Sequence, residues 1–181
     1  MAILVTGGAG FVGSVTVERL LDEGESVVVF DDFSTGHRGA ISPAVPCVEG
    51  SICNRILVEK TLREFNVDTV IHCAGKTYVD ESNRSPLDYF EVNTVGAHTL
   101  LQAMIATNVT RFVFSSTASV YGETDGTPID ELHGASPINA YGCSKRMTEE
   151  MLEWTGRAYG LRFISLRYFN AAGATERCGE D

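Results

Sequence analysis

The sequence lacks the cysteine and histidine patterns that hold metals or build disulfide frameworks. Its five cysteines include no Cys-x-x-Cys pair, and its four histidines are scattered along 181 residues. Zinc sites and disulfide-stapled folds require these residues at short, regular spacings. We therefore expect no metal site, and we expect the cysteines to be free thiols of a protein in the reducing cytoplasm.

Basic residues and long apolar runs are also scarce. The chain has 14 Lys and Arg residues against 24 Asp and Glu residues, for a formal net charge of −10. Nucleic acids and anionic membranes are bound by clustered basic side chains, so neither is expected as a partner. The apolar run 2–8 is too short for a signal peptide or a membrane span. Small molecules and other proteins are left as the expected partners.

Apolar stretches alternate with helical patterns along the whole chain. Strands are predicted over 2–7, 26–32, 47–52, 68–75, 111–117 and 162–170, and helices over 11–23, 54–65, 86–108 and 139–160. Continuous apolar strands that alternate with helices indicate a parallel sheet covered by helices on both faces. The predicted fold class is therefore α/β, a doubly wound parallel sheet of the Rossmann type.

A glycine-rich turn follows the first predicted strand. Gly7, Gly10 and Gly13 are spaced three residues apart where the strand gives way to a helix. In this setting the first glycine allows a tight turn, and the second lets a pyrophosphate approach the backbone at the helix amino end. The third lets the helix pack closely on the sheet. Dinucleotide binding is the interpretation this context favours; a plain structural turn is the alternative.

A carboxylate at the end of the second predicted strand indicates which dinucleotide is bound. Asp31 stands where an acidic residue accepts hydrogen bonds from an adenosine 2′-hydroxyl and repels a 2′-phosphate, so NAD is favoured over NADP. The alternative is that Asp31 or Asp32 merely ends the strand. His37 and Arg38 lie close enough downstream to meet a phosphate, which keeps NADP open.

A tyrosine and a lysine share one face of the last predicted helix. Tyr141 precedes Lys145 by four residues, and a neighbouring ammonium, together with an oxidised nicotinamide, favours the phenolate of a tyrosine base. Ser115, Ser116 and Thr117 end the fifth strand, at the sheet edge where ligands bind. The alternative for Ser115 is a hydrogen bond to loop backbone.

Together these motifs carry a family resemblance over essentially all 181 residues. The chain resembles the extended short-chain dehydrogenase/reductase family, and within it the epimerases of nucleotide sugars. The motifs are "TGGAGFVG", Asp31, "HCAG", "VNTVGAHTLL", "SSTASVYG", Tyr-x-x-x-Lys and "LRYFNAAGA". The resemblance implies tightly held NAD, a UDP-sugar substrate and inversion at C4 of a UDP-hexose through a 4-keto intermediate.

The resemblance also implies roles for individual residues. Tyr141 is the catalytic base, Lys145 lowers its pKa and bonds the nicotinamide ribose, and Thr117 bonds the sugar 4-hydroxyl. Substrate contacts are implied for Lys76, Thr117, Tyr141 and Asn170. Cofactor contacts are implied for Gly7, Gly10, Phe11, Val12, Gly13, Asp31, Asp32, Phe33, Ser34, Thr35, Gly36, Ser51, Ile52, Cys73, Ala74, Gly75, Lys76, Asn93, Ser115, Tyr141, Lys145, Tyr168 and Phe169.

The chain departs from the family pattern at two positions. Ser51 stands where the family usually has an Asp that bonds the adenine amine, and Thr77 stands where some epimerases have a basic residue, which Lys76 can replace. Dehydration is disfavoured because Ala118 and Ser119 occupy the places of the dehydratases' Asp-Glu pair. Another nucleotide-sugar epimerase or a decarboxylase of the family remains an alternative.

The resemblance further predicts the domain organisation and the oligomer. Residues 1–181 are expected to form the NAD-binding domain, with a C-terminal substrate domain beyond residue 181. The 181-residue chain alone is then expected to bind NAD but to turn over poorly, as a cofactor-binding module. A homodimer is expected through helices 86–108 and 139–160. Contributing side chains, unless they face the subunit's own sheet, are Leu100, Leu101, Met104, Met147, Met151 and Leu152.

Overall fold

A single parallel sheet of six strands forms the centre of the computed structural model, which describes residues 1–179. The strands are Ala2–Thr6 (β1), Val27–Asp31 (β2), Cys47–Glu49 (β3), Val67–His72 (β4), Arg111–Thr117 (β5) and Arg162–Tyr168 (β6). Their order across the sheet is β3-β2-β1-β4-β5-β6. The order reverses between β1 and β4, where sheets of this kind open a ligand crevice at the carboxyl ends of the strands. The predicted fold class is confirmed.

Helices cover both faces of the sheet. They are Phe11–Asp22 (α1), Arg55–Glu64 (α2), Val79–Arg84 (α3), Pro86–Tyr89 (α4), Gly96–Ala106 (α5) and Ala140–Tyr159 (α6). Short 3-10 turns lie at Arg38–Ala40 and Ala118–Val120. Because successive strand residues point to opposite faces, Leu4 and Phe30 pack into one core, whereas Val5 and Val29 pack into the other.

The helix predicted over 86–108 is helical only to Ala106, and it is not uniform. Between α4 and α5 the segment Phe90–Val95 is π-helical, with one extra residue per turn. Such segments are frequent at functional sites because they turn a side chain away from its α-helical direction. Here the π segment contains Asn93, which is buried. Helical periodicity alone carries no sign of this change.

The sequence does not predict α3. Its six residues, "VDESNR", have no apolar repeat from which a helix could be recognised. The charges nevertheless suit a helix: Asp80 and Glu81 lie in the first turn and Arg84 in the last, matching the helix dipole. Helix α3 follows the loop after β4, so it brings Glu81 to the edge of the sheet where ligands bind.

Helix α6 carries both members of the Tyr-x-x-x-Lys motif, and its two ends are well defined. Asn139 caps the amino end by accepting a hydrogen bond from the Gly142 backbone N at 2.7 Å. Gly160 ends the helix in the left-handed conformation, with φ of +70°. The predicted limits of 139–160 are therefore confirmed to within a residue at each end, and Tyr141 falls in the first turn.

Within residues 1–179, no helix is both long and apolar enough to cross a membrane. Over the same residues, no group of three or more His, Cys, Asp and Glu side chains is arranged to hold a metal ion. The five cysteines are free thiols, and Cys178 is buried.

Candidate active site

The glycine turn contains two kinds of glycine. A Cβ on Gly7 would lie 2.5 Å from the Ala74 backbone N, and a Cβ on Gly13 would lie 2.0 Å from the Gly7 carbonyl O. The protein's own packing therefore requires both glycines. A Cβ on Gly10 would meet its nearest atom, the Gly7 O, at 3.5 Å, which is ordinary contact. Gly10 thus leaves open space at the amino end of α1, and this space fits an approaching anion.

Asp31 ties the glycine turn to the end of β2. Its Oδ2 accepts a hydrogen bond from the Ala9 backbone N at 2.9 Å, and its Oδ1 accepts one from the Phe33 backbone N at 2.8 Å. Both bonds are made by a buried carboxylate. Asp31 therefore shapes the loop itself, a role that the spacing of the motif does not reveal. Each carboxylate oxygen keeps a lone pair with which to accept a further hydrogen bond.

The loop after β2 is stabilised by its own contacts. Asp32 Oδ1 accepts a hydrogen bond from the Ser34 backbone N at 2.9 Å. Phe33 has a φ of +55°, and the Arg38 guanidinium lies 4.2 Å from the centre of its ring. Arg38 also forms an ion pair with Glu49. Arg38, one of the two residues that kept NADP open, is therefore paired with a carboxylate of β3.

Ser51 and Ile52 follow β3 and differ in exposure. Ser51 is exposed, and its Oγ accepts a hydrogen bond from the Cys53 backbone N at 3.2 Å. Ile52 is buried and packs so closely on Gly96 that a Cβ there would come within 2.6 Å of it. Of the two, Ser51 is the residue whose side chain faces solvent at this edge.

Asn93 holds the loop after β4 in place. Its Oδ1 accepts a hydrogen bond from the Lys76 backbone N at 2.8 Å, and its Nδ2 donates to the Lys76 carbonyl O and to Ser144 Oγ, each at 3.0 Å. A Cβ on Gly75 would lie 2.8 Å from Asn93 Oδ1. One buried amide thus joins the Cys73–Lys76 loop to α6, as the prediction that Asn93 positions this loop requires.

Tyr141 and Thr117 meet at the carboxyl end of β5. Burial raises the pKa of Tyr141, and a side-chain hydrogen bond with Thr117 partly offsets the rise. The sequence predicts the opposite direction, a lowering by Lys145. The difference arises because burial dominates, while the Lys145 Nζ donates a hydrogen bond of 3.0 Å to the Ser115 carbonyl O.

Lys145 is a buried cation. Burial lowers its pKa to about 8, and the nearby Cys73 thiol opposes that lowering. Its Nζ also lies 5.1 Å from the centre of the Phe114 ring. A lysine with this pKa is still mostly protonated at neutral pH, so a positive charge stands one helical turn from Tyr141.

Ser115 connects several groups of the site. Its Oγ donates to Cys73 Sγ at 3.3 Å, so its hydroxyl bonds a side chain rather than loop backbone. Burial raises the pKa of Tyr168, and a hydrogen bond with Ser115 partly offsets the rise. By contrast, Phe169 is 65% exposed and Asn170 is also exposed. Tyr168 therefore joins the site in this structure, whereas Phe169 and Asn170 face solvent.

A buried ion-pair cluster lies beside the site, and it was not predicted from the sequence. Glu149 accepts two hydrogen bonds from Arg167, of 2.9 and 2.8 Å, one from Ser116 Oγ of 2.6 Å and one from Arg146 of 3.3 Å. Burial raises the pKa of Glu149, but the bonds from Arg167 and Ser116 outweigh it and hold the pKa below its usual range. Its position four residues after Lys145, on the same helix face, was the available signal.

The fold and the site together define a class of protein. A doubly wound sheet with a glycine turn at its switch point and an acidic residue ending β2 is the architecture of a dinucleotide-binding domain. A Tyr–Lys pair lies at the same edge of the sheet. The profile of the NAD dependent epimerase/dehydratase family matches residues 3–180, and the chain belongs to that family. The predicted family resemblance is confirmed.

Relatives and solved structures agree with this assignment. The chain is 48% identical to a UDP-glucose 4-epimerase of Halalkalibacterium halodurans, over 100% of the chain and 54% of the relative. It superposes with a TM-score of 0.96 on a UDP-glucose 4-epimerase from Brucella ovis in complex with NAD, at 40% identity, covering 99% of this chain and 56% of that one. A UDP-glucose 4-epimerase from Bifidobacterium longum in complex with NAD+ and UDP gives 0.95, at 35% identity, covering 100% and 57%. The chain thus spans about half the length of the curated relatives it matches.

Proposed function

We propose that the protein containing these residues inverts C4 of a UDP-hexose, interconverting UDP-galactose and UDP-glucose with NAD as cofactor. The observation that carries the proposal is the contact of Tyr141 with Thr117, one helical turn before a buried Lys145, in a chain 48% identical to a UDP-glucose 4-epimerase. These three side chains lie at the sheet edge to which the glycine turn also belongs.

The residues present fit a dinucleotide. The open space at Gly10 and the amino end of α1 suit a pyrophosphate, and Asp31 has an acceptor left on each oxygen for a ribose hydroxyl. The loop held by Asn93, from Cys73 to Lys76, borders the same crevice. When bound, NAD supplies a hydride acceptor that can also return the hydride. The B. ovis relative, solved with NAD, supports this choice of cofactor.

The chain's own residues supply binding and proton transfer. Thr117 holds the sugar 4-hydroxyl and Tyr141 takes its proton. Because burial raises the pKa of Tyr141, a nearby positive charge is needed to favour its phenolate, and Lys145 provides one. Loss of this proton and of the C4 hydrogen gives a 4-keto sugar. Inversion requires the keto sugar to present its other face before Tyr141 returns the proton.

The test of this function compares two variants in the natural gene product that contains these residues. Conversion of UDP-galactose to UDP-glucose is followed in a coupled assay. Tyr141→Phe should lower kcat by about 10²- to 10⁴-fold, the usual contribution of a general base, while NAD still co-purifies. Tyr159→Phe is the matched control, since that exposed tyrosine lies at the far end of α6. Full activity of the Tyr141→Phe protein would show that the base is another group.

The domain organisation is part of the same proposal. Residues 1–181 supply the NAD-binding domain, and a sugar-binding domain lies outside them. The support is that the chain spans 54% of the H. halodurans relative. The 181-residue chain by itself is then a cofactor-binding module. Mass spectrometry of the denatured chain should find NAD, whereas the coupled assay should find little turnover. Turnover at ordinary enzyme rates would contradict the proposal that the chain alone only binds the cofactor.

A second copy of the chain is the proposed protein partner. A groove of about 530 Å³ lies between α5 and α6, and the residues that line it include His98, Ile105, Met147, Met151 and Trp154. Trp154 is 67% exposed, which favours burial against another apolar surface. Sedimentation velocity should find a dimer, and Trp154→Glu should yield monomer; a monomeric wild type would contradict the proposal.

The side chains expected at this interface need correction. Four of the six belong to the subunit's own core, on the sheet side of α5 and α6, and all of these except Leu101 lie away from the groove. These four are Leu100, Leu101, Met104 and Leu152. Three residues of the predicted set, Leu101, Met147 and Met151, line the groove.

A further inference from the structure

Tyr89 is a buried aromatic residue that packs against the proposed catalytic base. It ends α4, and none of its surface is exposed. Its ring meets the Tyr141 ring edge-on, with the ring centres 6.5 Å apart and the planes at 79°. This is the favoured arrangement of two aromatic rings, and such pairs contribute beyond the area they bury.

The hydroxyl of Tyr89 is anchored on the side of α3. It lies 2.7 Å from the Tyr78 carbonyl O and 3.1 Å from Glu81 Oε2. The other oxygen of Glu81 accepts a hydrogen bond of 2.8 Å from Lys76 Nζ. Burial and the bond to Glu81 raise the pKa of Tyr89 to about 12, so this phenol stays protonated and remains a donor. The ring is thus held at its hydroxyl while it packs against Tyr141.

The anchor itself is tied to the rest of the site. Lys76 is fixed through its backbone by Asn93, and Asn93 bonds Ser144, three residues after Tyr141 on α6. Two routes therefore link the loop after β4 to the first turn of α6. One is the Asn93 amide, and the other is the Lys76–Glu81–Tyr89 chain. Lys76, expected to contact substrate, holds Glu81 in this structure.

We propose that Tyr89 is a positioning residue for Tyr141: its anchored ring fixes the Tyr141 ring against Thr117 and keeps water from its buried side. The proposal rests on the proposed function in taking Tyr141 as the base. Tyr89 itself touches no reacting atom. A purely space-filling role is the competing explanation, and it predicts that loss of Tyr89 acts on stability alone.

The experiment follows the ionisation of Tyr141 in this chain, without cofactor or sugar. Tyrosine labelled with ¹³C at the ring carbon bearing the hydroxyl gives one NMR signal per residue, and Tyr141→Phe identifies the signal of Tyr141. Tyr89→Leu removes the ring, admits water and should move the Tyr141 titration midpoint down toward that of a free tyrosine. Tyr89→Phe keeps the ring but removes its hydroxyl anchor, so it should move the midpoint in the same direction but by less than Tyr89→Leu.

The control is Phe112→Leu, an equally buried aromatic truncation at the far end of β5 that contacts His72 and Phe114 instead. It should cost stability but leave the Tyr141 midpoint where it is. An unmoved midpoint in Tyr89→Leu, or an equal shift in Phe112→Leu, overturns the proposal.

A measurement on the wild type covers the case in which Tyr89→Leu fails to fold. Ring protons of Tyr89 and Tyr141 should give a nuclear Overhauser effect in the wild type, and Tyr89→Phe should retain it. If the wild type shows no such effect, the two rings are not in contact and the proposal is overturned. These readouts need no turnover. If Tyr141 proves not to be the base, the kinetic test fails while the titration shift persists.

Discussion

The two halves of the sheet edge hold their polar groups in different ways. Around β1 and β2 the contacts are with backbone: Asp31 accepts from two backbone amides, and Gly7 and Gly13 are fixed by close approach of backbone atoms. Around β4 to β6 side chains also bond one another, as Ser116 and Arg167 bond Glu149, and two charged residues, Lys145 and Glu149, are buried. Under the proposed function, the first half would bind the cofactor and the second would set the electrostatic environment of the reaction.

This difference has consequences for ionisation. Four pKa shifts caused mainly by burial fall in the second half: burial lowers the pKa of His72 and of Lys145, and it raises those of Cys73 and Tyr141. In the first half, burial raises the pKa of Cys47. Perturbed pKa values in a cleft are typical of sites where a reaction takes place. Substitutions in the second half should therefore change stability and pH dependence, whereas those in the first half should change ligand affinity.

The largest effect on stability is expected at Glu149. Glu149→Gln leaves Arg167 and Arg146 beside a neutral amide, and breaking a buried ion-pair cluster costs about 3–5 kcal/mol. Urea denaturation measures the loss. Glu150→Gln is the control, because Glu150 also pairs with Arg146 but is more than half exposed, so about 0–1 kcal/mol is expected. Equal losses in the two variants would mean that burial of the cluster is unimportant.

The same contrast decides what the sequence could predict. All six strands and the glycine turn follow from local patterns, as do Tyr141 and Lys145, four residues apart. The Asn93 amide, by contrast, bonds groups 17 and 51 residues away, and Ser116 bonds Glu149 across 33 residues. No local pattern records such pairings. Helix α3 is too short and too polar to show the hydrophobic periodicity from which a helix is predicted.

The prediction that Leu100 and Met104 of α5 lie at the dimer interface was wrong for a related reason. The stretch "GAHTLLQAMIA" is apolar on several faces, so its sequence does not tell which side faces the sheet. Only the tertiary packing assigns Leu100 and Met104 to the subunit's own core and leaves Ile105 at the groove. A helix with one apolar stripe would have allowed the assignment.

A smaller effect, dependent on pH, is expected at His72. Its ring lies at the end of β4, where Nδ1 pairs with Thr6 Oγ1 at 2.6 Å, and burial with the nearby Lys145 charge lowers its pKa to about 3. The unfolded chain, with a pKa near 6.5, binds the proton more readily. Stability from this group is therefore complete above pH 6.5 and is lost as the pH falls toward 3.

At pH 5 this loss should reach about 2 kcal/mol relative to pH 7.5, because pH 5 lies about 1.5 units below the unfolded pKa and each unit is worth about 1.4 kcal/mol. His72→Asn keeps a polar group near the position of Nδ1 and removes the titration. Urea unfolding between pH 5 and 7.5 should show a shallower dependence in the variant. An identical slope in both proteins would assign the acid sensitivity to other groups.

The smallest effect is expected in the first half, at Gly10, and it falls on binding rather than on stability. A Cβ on Gly10 meets nothing closer than 3.5 Å, so Gly10→Ala should fold as well as the wild type. The added methyl group instead occupies the space at the amino end of α1, where a pyrophosphate must approach. NAD affinity, measured by calorimetry, should fall by roughly tenfold, equivalent to about 1.4 kcal/mol. Gly134→Ala, where a Cβ also has open space but lies in the loop after β5, should leave affinity unchanged. The substitution at Gly10 changes the space for a ligand without disturbing the packing of the protein. Unaltered NAD affinity in Gly10→Ala would therefore show that the pyrophosphate does not bind at the glycine turn.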